Sequence, residues 1–356
     1  MKRKTVLAAM SGGVDSSVAA FLLCEEGYSV TGVTMHLGLP AEERLGRSWI
    51  PDAVLDARRV CDRLGIPHRV VDLSREMREK VIGRFVEEYR SGRTPNPCID
   101  CNRHLKFGRL LDTARSGGFQ FLATGHYAKI DQVGERLRLV KPRDRRKDQT
   151  YFLYVIRKED LSSILFPLAD RTKEEVRVLA RKAGLPVAER EESQDICFVP
   201  RKGYRQFIRD LAGPQQPGPI LDKQGRVLGC HDGIVSFTIG QRSGLGISAP
   251  SPLYVVSVDP ETNRVVVGGK NELLSSSLTA CDINLLADSW PAKADAKIRY
   301  RKKASVCRIF REEKGGLRIE FEEPQESITP GQAVVLYRGD EVLGGGVIRQ
   351  VLQDMK

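Results

Sequence analysis

The chain has 356 residues, of which 29% are charged and 41% hydrophobic, and its net charge is +11. This ordinary mixture excludes a disordered or fibrous protein, and the length predicts two or three domains. Apolar runs stay shorter than the roughly 18 residues of a membrane span, and the short run after the basic N-terminus resembles a first strand more than a signal peptide. We therefore expect no membrane association. Eight cysteines without a secretory signal favour the cytoplasm.

The first half of the chain alternates between strand-like and helix-like segments. This pattern is typical of an α/β domain whose parallel sheet is wound by helices, and such sheets bind ligands at the carboxyl ends of their strands. We therefore expect the chemistry in the loops after Met10, Met35 and Thr124. Strands are predicted at 5–10, 30–35, 68–73 and 119–124, and helices at 16–26, 52–64, 75–90, 103–115 and 172–183. Thr172 and Glu175 predict a capping box at the start of the last helix.

The second half begins after Pro200 and changes to a period of two residues. Short alternating runs separated by Asp-Pro, Gly-Gly and Arg-Gly-Asp turns predict an all-β region, which we divide into two domains. The predicted boundaries are 1–205, 206–278 and 279–356. The predicted strands include 253–258, 264–267, 296–300, 317–321, 333–337 and 342–348.

The segment SGGVDSS, at 11–17, lies between the first predicted strand and the first helix. Glycines allow a positive φ and a close approach of the backbone, and the following helix offers free N–H groups to an anion. The alternative is a plain strand-to-helix turn with an N-cap. The string resembles the pyrophosphate-binding loop of the ATP pyrophosphatases, and in such a loop Asp15 is best explained by a Mg²⁺ ion that it shares with the phosphates.

Two cysteines lie two residues apart in TPNPCIDCNRHLKF, which we interpret as a loop broken by prolines. Such a pair is a zinc half-site, a redox pair, part of an iron–sulfur ligand set, or two thiols with separate functions. Asn102 is a candidate N-cap, and with Arg103 and His104 it would favour a thiolate at Cys101. By contrast, Cys24 and Cys61 fall on apolar helix faces and are expected in the core.

Positive charge is concentrated in KPRDRRK at 141–147 and RYRKK at 299–303. Clustering of this kind favours a nucleic-acid partner over a merely basic surface.

Six motifs, SGGVDSS, GRTPNPCIDCNRHLKFG, ATGHYA, KDQTYFLY, SQDICF and FTIGQRSGLGI, occur in the order found in the tRNA-specific 2-thiouridylases, which the chain resembles over its full length. The resemblance implies an ATP-pyrophosphatase (adenine nucleotide α-hydrolase-like) domain, a small central β domain and a C-terminal β-barrel. It also implies that ATP adenylates O2 of the wobble uridine of tRNA, after which sulfur replaces that oxygen.

The resemblance also implies the roles of individual residues. Cys101 corresponds to the nucleophile and Cys197 to the cysteine that carries a persulfide. The nucleotide would contact Ala9, Met10, Ser11, Gly12, Gly13, Val14, Asp15, Ser16, Ser17, Met35 and Gly125. The tRNA would contact Asn96, Pro97, Cys98, Lys147, Asp148, Gln149, Arg299 and Tyr300.

One departure from the family's pattern concerns Cys98, where many members have an aspartate to which an acid–base role is assigned. Three cysteines would also be able to hold a [4Fe–4S] cluster, with Cys98, Cys101 and Cys197 as ligands. A zinc site that adds His104 is a third alternative, although a closed site would leave no thiol for catalysis. In the persulfide mechanism Cys101 and Cys197 would face one another and form a disulfide on oxidation.

Partners and competing functions follow from the same motifs. We expect a sulfur-donor protein, either a cysteine desulfurase or a sulfur relay protein. The alternatives are another ATP pyrophosphatase, such as an amidotransferase-type synthetase, or an RNA-binding module with a degenerate nucleotide loop. No glutaminase-like segment supports the first, and the intact SGGVDSS string argues against the second.

Overall fold

The computed structural model describes residues 3–39, 52–191, 196–199, 204–313 and 315–352. The chain forms two compact units. The first comprises Met1–Val81, Cys98–Gln194 and Asp340–Val342, and the second comprises Ile82–Pro97, Asp195–Gly339 and Leu343–Lys356.

A parallel sheet of five strands forms the centre of the first unit, in the order β3-β2-β1-β4-β7. Its strands are β1 (Thr5–Ala9), β2 (Ser29–His36), β3 (His68–Asp72), β4 (Phe121–Ala123) and, after a hairpin, β7 (Ile164–Leu165). The predicted α/β class and the four predicted strands are confirmed. Since β2, β1 and β4 are neighbours, the loops that follow them meet at one edge of the sheet.

Helices α1 (Val14–Glu25) and α2 (Asp52–Leu64) have the predicted positions and bury their apolar faces. Cys61 is fully buried in this core, and burial raises the pKa of its thiol to about 12, so its prediction as a core thiol is confirmed. Cys24 is only half-buried and packs at the edge of the same core.

Two helical segments that sequence periodicity predicts as α-helices contain π-helical turns. The first consists of α3 (Ser74–Glu76), a π-helix at Met77–Ile82 and α4 (Gly83–Arg90). The second consists of α5 (Pro97–Asp100), a π-helix at Cys101–Leu110 and α6 (Leu111–Ser116). The prediction that residues 97–102 form a loop is therefore wrong. Proline is tolerated in the first turn of a helix, where its missing N–H has no partner to lose.

The remaining elements of the first unit include a hairpin that the sequence reading missed, β5 (Lys129–Val133) and β6 (Arg136–Val140), which turns at Gly134 with φ of 59°. A short helix, α7 (Thr150–Leu153), precedes β7, and α8 spans Lys173–Lys182. The predicted capping box of α8 is present, with the Thr172 side chain accepting from the N–H of Glu175.

The second unit contains two β structures, helix α4 from the segment Ile82–Pro97, and helix α9 (Tyr204–Ala212). The first is a sheet in the order β10-β11-β8-β9, made of β8 (Gly218–Leu221), β9 (Val227–His231), β10 (Tyr254–Asp259) and β11 (Arg264–Gly268). The second is an antiparallel barrel that closes where β12 pairs with β17. Its strands are β12 (Leu274–Leu285), β13 (Lys293–Lys297), β14 (Ser305–Arg311), β15 (Leu317–Glu326), β16 (Ala333–Arg338) and β17 (Glu341–Leu352).

The two β structures have separate apolar cores, one around Val255 and Val265 and the other around Ile319 and Leu336. The prediction of a small β domain followed by a β-barrel is confirmed. Strand β13 spans Lys293–Lys297, however, so Arg299 and Tyr300, which the prediction at 296–300 placed in a strand, lie beyond its end. No helix within the described ranges is long and apolar enough to cross a membrane.

Candidate active site

The loop between β1 and α1 has the geometry of an anion-binding site. Gly12 has a φ of 71°, and a Cβ atom there would lie 2.6 Å from the carbonyl oxygen of Ala53. Gly13 is the N-cap of α1 and is extended, so the expected positive φ is confirmed for Gly12 alone. Glycine has no side chain that could cap the helix, so Gly13 offers no side-chain acceptor to the first N–H groups of α1. Such N–H groups at a helix N-terminus can donate to a phosphate.

The serine hydroxyls of this loop shape it from within. The side chains of Ser16 and Ser17 both donate to the carbonyl of Gly13, at 3.1 and 2.8 Å. Ser16 Oγ also accepts from the backbone N–H of Ser11 at 3.1 Å. These bonds hold the turn in one conformation, and Ser11, the first residue of the loop, remains exposed.

Asp15 is bound by two side chains from other parts of the first unit. The ammonium of Lys173 donates to Oδ1 of Asp15 at 2.6 Å, and the hydroxyl of Tyr127 donates to the same oxygen at 2.9 Å. Lys173 is 6% exposed and Tyr127 2%. A positive charge that is buried beside a phosphate loop would contribute directly to holding an anion.

Lys173 is the functional residue that sequence reasoning missed. It occupies the first position of α8, immediately after the N-cap Thr172, where the positive end of the helix dipole disfavours a cation. A lysine at that position in an otherwise well-capped helix is a signal that an anionic partner compensates it. Its backbone N–H donates to the buried Asp144 at 2.9 Å.

The other predicted nucleotide residues lie around the same loop. A Cβ atom on Gly125, which follows β4, would lie 2.6 Å from the backbone nitrogen of Ser16, so only glycine allows this approach. Met35 is half-buried near the end of β2. The backbone N–H of Met10 bonds to the carbonyl of Val33 at 2.7 Å and fixes the start of the loop. Ala9, the last residue of β1, leads into it.

Cys98 and Cys101 belong to the helical segment that begins at Pro97. Asn102 is buried inside this segment and donates to the carbonyl of Phe152 at 3.0 Å, so its prediction as an N-cap is wrong. Burial raises the pKa of the Cys101 thiol; the ammonium of Lys106 lowers this pKa and the carboxylate of Asp100 raises it, and the net change is upward. The expectation that Arg103 and His104 favour a thiolate at Cys101 is therefore wrong: the net change of this pKa is upward, and the cation that lowers it is Lys106.

Cys98 is exposed at the protein surface, yet desolvation by the surrounding protein raises the pKa of its thiol, while Lys106 acts to lower that pKa.

Cys197 belongs to the second unit and is exposed. Its neighbours are anchored: Ile196, Phe198 and Val199 pack against the core formed by α4 and α9. The rings of Phe198 and Phe85 meet edge to face, with their centroids 5.3 Å apart. Half-buried flanking residues therefore present the Cys197 thiol on the surface of this unit.

Two of the predicted tRNA contacts in KDQ have structural hydrogen bonds. Oδ1 of Asp148 accepts from the backbone N–H and the hydroxyl of Thr150, at 2.9 and 2.6 Å. Oε1 of Gln149 accepts from the backbone N–H of Tyr127 at 2.9 Å. Lys147 is half-buried and bonds through its backbone N–H to Asp144. The segment is therefore fixed next to the residue that holds Asp15.

The predicted tRNA contacts of the second unit are also tied to their surroundings. Arg299 donates to the carbonyl of Ser327 at 2.9 Å and to Oγ1 of Thr329 at 2.7 Å. The ammonium of Lys297 lies 5.4 Å from the ring centroid of Tyr300. Asn96 is half-buried and Pro97 is buried.

The basic segment 141–147 is less positive than its sequence suggests, because its arginines face carboxylates. Arg143 lies 3.1 Å from Glu175, Arg145 lies 2.5 Å from Asp340, and Arg146 lies 2.9 Å from Glu174. All three guanidinium groups are more than half exposed, so each pair contributes little to stability and can exchange its carboxylate for a phosphate.

Within the described residues no disulfide is present and no three or more His, Cys, Asp or Glu side chains are grouped to hold a metal ion. Cys101 and Cys197 belong to different units, so their pairing stays a prediction. For Mg²⁺, Asp15 offers a single carboxylate, one oxygen of which already accepts from Lys173 and Tyr127. Mg²⁺ often uses one or two carboxylates together with substrate phosphates, and Asp15 fits that pattern only with its remaining oxygen.

Comparison with known proteins gives matches along most of the chain. Residues 4–201 match the family model described as a tRNA methyl transferase HUP domain, 205–269 a tRNA methyl transferase PRC-barrel domain, and 275–348 an aminomethyltransferase beta-barrel domain. The tRNA-specific 2-thiouridylase MnmA 1 of Syntrophus aciditrophicus is 57% identical over 98% of this chain and 94% of its own length. The tRNA-specific 2-thiouridylase MnmA of Carboxydothermus hydrogenoformans is 50% identical over 98% of this chain and 99% of its own.

Proposed function

We propose that this chain, which belongs to the tRNA-specific 2-thiouridylase family, uses ATP to replace O2 of the wobble uridine of tRNA with sulfur. The observation that carries the proposal is the buried Lys173–Asp15 pair at the start of α1, beside a glycine loop shaped for phosphate. A plain strand-to-helix turn would have no use for a buried ammonium at that position. The relatives are named tRNA-specific 2-thiouridylases, and those names supply the tRNA and the uridine.

In the first step, the loop Ser11–Ser17 would hold the phosphates of ATP on the N–H groups at the start of α1. Gly125 and Met35 would leave room for the adenosine, and Lys173 would neutralise charge as pyrophosphate leaves. The uridine O2 attacks the α-phosphorus, the bond to the β-phosphate oxygen breaks, and the adenylated oxygen becomes a good leaving group. Mg²⁺, when bound at Asp15, would neutralise phosphate charge.

In the second step, we assign sulfur delivery to Cys197 and Cys101. The terminal sulfur of a Cys197 persulfide would attack C2 of the adenylated uridine and displace AMP. The Cys101 thiolate would then attack the inner sulfur of Cys197, which forms a Cys101–Cys197 disulfide and leaves the sulfur on the base. An external dithiol must reduce that disulfide before the next cycle, and a sulfur-donor protein, either a cysteine desulfurase or a sulfur relay protein, must restore the persulfide.

The alternative, in which Cys98, Cys101 and Cys197 hold a [4Fe–4S] cluster that supplies the sulfide, stays a prediction. No step above depends on it.

The tRNA contacts and the domain boundaries are proposals as well. We assign tRNA contacts to Asn96, Pro97, Cys98, Lys147, Asp148, Gln149, Arg299 and Tyr300. The boundaries 1–205, 206–278 and 279–356 are supported by the separate apolar cores and by the spans of the three family models. We place the reaction in the cytoplasm, where tRNA is modified.

The test is AMP and pyrophosphate release with bulk tRNA, followed by detection of thiolated tRNA through its retardation in an organomercury gel. The parent chain should release AMP only with tRNA, and Asp15→Asn should release none while binding tRNA with unchanged affinity. An amidotransferase-type synthetase would release AMP without thiolating tRNA, and an RNA-binding module would release no AMP. Either outcome would overturn the proposal.

A further inference from the structure

A buried histidine, His126, lies in the first unit and is not used by the chemistry described above. Its Nδ1 lies 2.7 Å from Oγ1 of Thr124, and its Nε2 lies 3.2 Å from the ammonium of Lys106. Its ring packs against Phe107 and Phe166, with centroid distances of 5.9 and 6.2 Å. These two hydrogen bonds and two ring contacts hold the imidazole of His126 in one orientation.

The hydrogen bonds define how His126 is protonated. An ammonium can only donate, so Nε2 must accept from Lys106, and the proton on Nδ1 is then donated to Thr124. Burial lowers the pKa of His126 well below its usual value, and Lys106 lowers it further, which keeps the ring neutral. His126 is therefore a fixed acceptor whose effect is to hold the Lys106 ammonium in place.

The π-helix at Cys101–Leu110 brings that ammonium to the side of the helix that carries Cys101. Lys106 follows Cys101 by five residues, the separation that one hydrogen bond of a π-helix spans, so the two residues lie on the same side of the helix. In an α-helix the same separation would place the two side chains about 140° apart. Gly108 shows the same winding, since a Cβ atom there would lie 2.8 Å from the carbonyl oxygen of Arg103, five residues earlier.

We propose that Lys106, held by His126, is a positioning residue for sulfur transfer, whose ammonium supplies the positive charge beside the Cys101 sulfur. The residue touches neither the nucleotide loop nor Asp15 in the contacts described above. Its role is to attract and stabilise anionic sulfur at Cys101 against the opposing charge of Asp100. The inference depends on the proposed function only in taking Cys101 as the reacting thiol.

The test compares two alkylating reagents at Cys101 in the full chain. Iodoacetate is an anion and iodoacetamide is neutral, and both consume the same thiolate, so the ratio of their rates reports local charge and is independent of thiolate fraction. Rates are read by mass spectrometry of the peptide 94–103, with fragment ions separating Cys101 from Cys98. Lys106→Met should lower the iodoacetate-to-iodoacetamide ratio roughly three- to tenfold.

Matched variants separate charge from packing. Lys106→Arg should keep the ratio, as should His126→Gln, which retains an acceptor, whereas His126→Phe should lower it. Arg109→Met is the control, because Arg109 lies on the same helix but is exposed and faces Glu76. The buried thiol of Cys61 must stay unmodified in each variant, which shows that the first unit is folded.

An unchanged ratio in Lys106→Met with Cys61 protected would overturn the proposal. If Lys106→Met unfolds, the two histidine variants decide, and equal ratios for His126→Gln and His126→Phe would overturn it. In the thiolation assay Lys106→Met should lower kcat with little change in KM for tRNA. Failure of the proposed function would appear separately, as a parent chain that releases no AMP with tRNA while its alkylation ratio still responds to Lys106.

Discussion

The ammonium of Lys173 lies 2.6 Å from the carboxylate of Asp15, although the two residues are 158 positions apart in the chain. The aspartate of the phosphate loop thus has a protein cation beside it. When ATP binds, this lysine can turn from the carboxylate to a phosphate without leaving its buried position, because phosphate and carboxylate accept the same hydrogen bond. Under the proposed function, the start of α8 is therefore part of the nucleotide site.

The first prediction concerns Lys173. Lys173→Met should lower tRNA-dependent AMP formation by about 10²- to 10³-fold, the typical loss when one donor to a transition-state anion is removed. tRNA affinity, measured by filter binding, should not change. Lys182→Met, in the last turn of the same helix and exposed, is the matched control. AMP formation within a fewfold of the parent would remove Lys173 from the site.

A second prediction uses the close approach of Gly125 to the loop. Gly125→Ala would place a methyl group 2.6 Å from the backbone nitrogen of Ser16, so the loop must move. We expect KM for ATP to rise at least tenfold. Gly269→Ala, where no atom lies within 4 Å of the added group, should leave KM unchanged. An equal KM in both variants would show that the nucleotide does not depend on this contact.

The cysteines separate the two sulfur mechanisms. In the persulfide mechanism Cys197→Ser should still adenylate tRNA but transfer no sulfur, and Cys98→Ala should retain substantial thiolation. In the cluster mechanism all three cysteine variants should fail alike, because loss of one ligand empties the site. The measurements are AMP release, thiolated tRNA, and iron content of protein purified without oxygen. Loss of activity in Cys98→Ala together with bound iron in the parent would exclude the persulfide mechanism.

RNA binding should depend on salt. Each phosphate contacted should lower log affinity by roughly 0.7–0.9 per log unit of salt. Replacing Arg145 and Arg146 by alanine should flatten this slope, and Glu174→Ala should tighten binding, since it releases Arg146 from its carboxylate. Arg75→Ala, at an exposed arginine outside both basic segments, is the control. An affinity that does not change with salt would indicate that these arginines form only a basic surface.

His126 makes stability depend on pH. Its pKa is lowered in the folded chain, chiefly by burial, and is about 6.5 when the chain unfolds. Above pH ~6.5 His126 is neutral in both the folded and the unfolded chain. Below pH ~6.5 the unfolded chain binds a proton at this histidine and the folded chain does not. The free energy of unfolding therefore falls, as the pH is lowered, by up to about 1.4 kcal/mol per pH unit. His126→Gln should lose this part of the slope. Urea unfolding of both proteins at several pH values between 7.5 and 5 measures it, and equal slopes would contradict the assignment.

Sequence reasoning predicted the parallel sheet, the phosphate loop and the capping box of α8 because each depends on residues close together in the chain. It misjudged Asn102, a polar residue near prolines that suits an N-cap. The hydrogen-bond partner of its side chain, the carbonyl of Phe152, is fifty positions away and cannot be found from local sequence. It likewise missed the charge of Lys106 near Cys101. A hydrophobic period of 3.6 residues predicts an α-helix and gives no sign of the i→i+5 hydrogen bonds of a π-helix.

The hairpin β5–β6 was not predicted, for a different reason. Arginine and leucine alternate in β6, which is the pattern of a half-buried strand, but β5 (KIDQV) shows no regular alternation, so the two strands do not stand out as a hairpin.

The bonds that Tyr127 makes in two directions connect the KDQ segment with the phosphate loop. Its backbone N–H is accepted by Gln149, and its hydroxyl donates to Asp15. If tRNA drew the Gln149 side chain away, Tyr127 would lose that bond but would keep the bond from the Gln149 N–H to its carbonyl and the bond from its hydroxyl to the aspartate. Any change that tRNA makes in ATP affinity by this route must be matched by an equal change that ATP makes in tRNA affinity, because the two bindings share one thermodynamic cycle. If Gln149 contacts tRNA as proposed, one side chain, that of Tyr127, would thus link the binding of the nucleic-acid substrate to the aspartate of the phosphate loop.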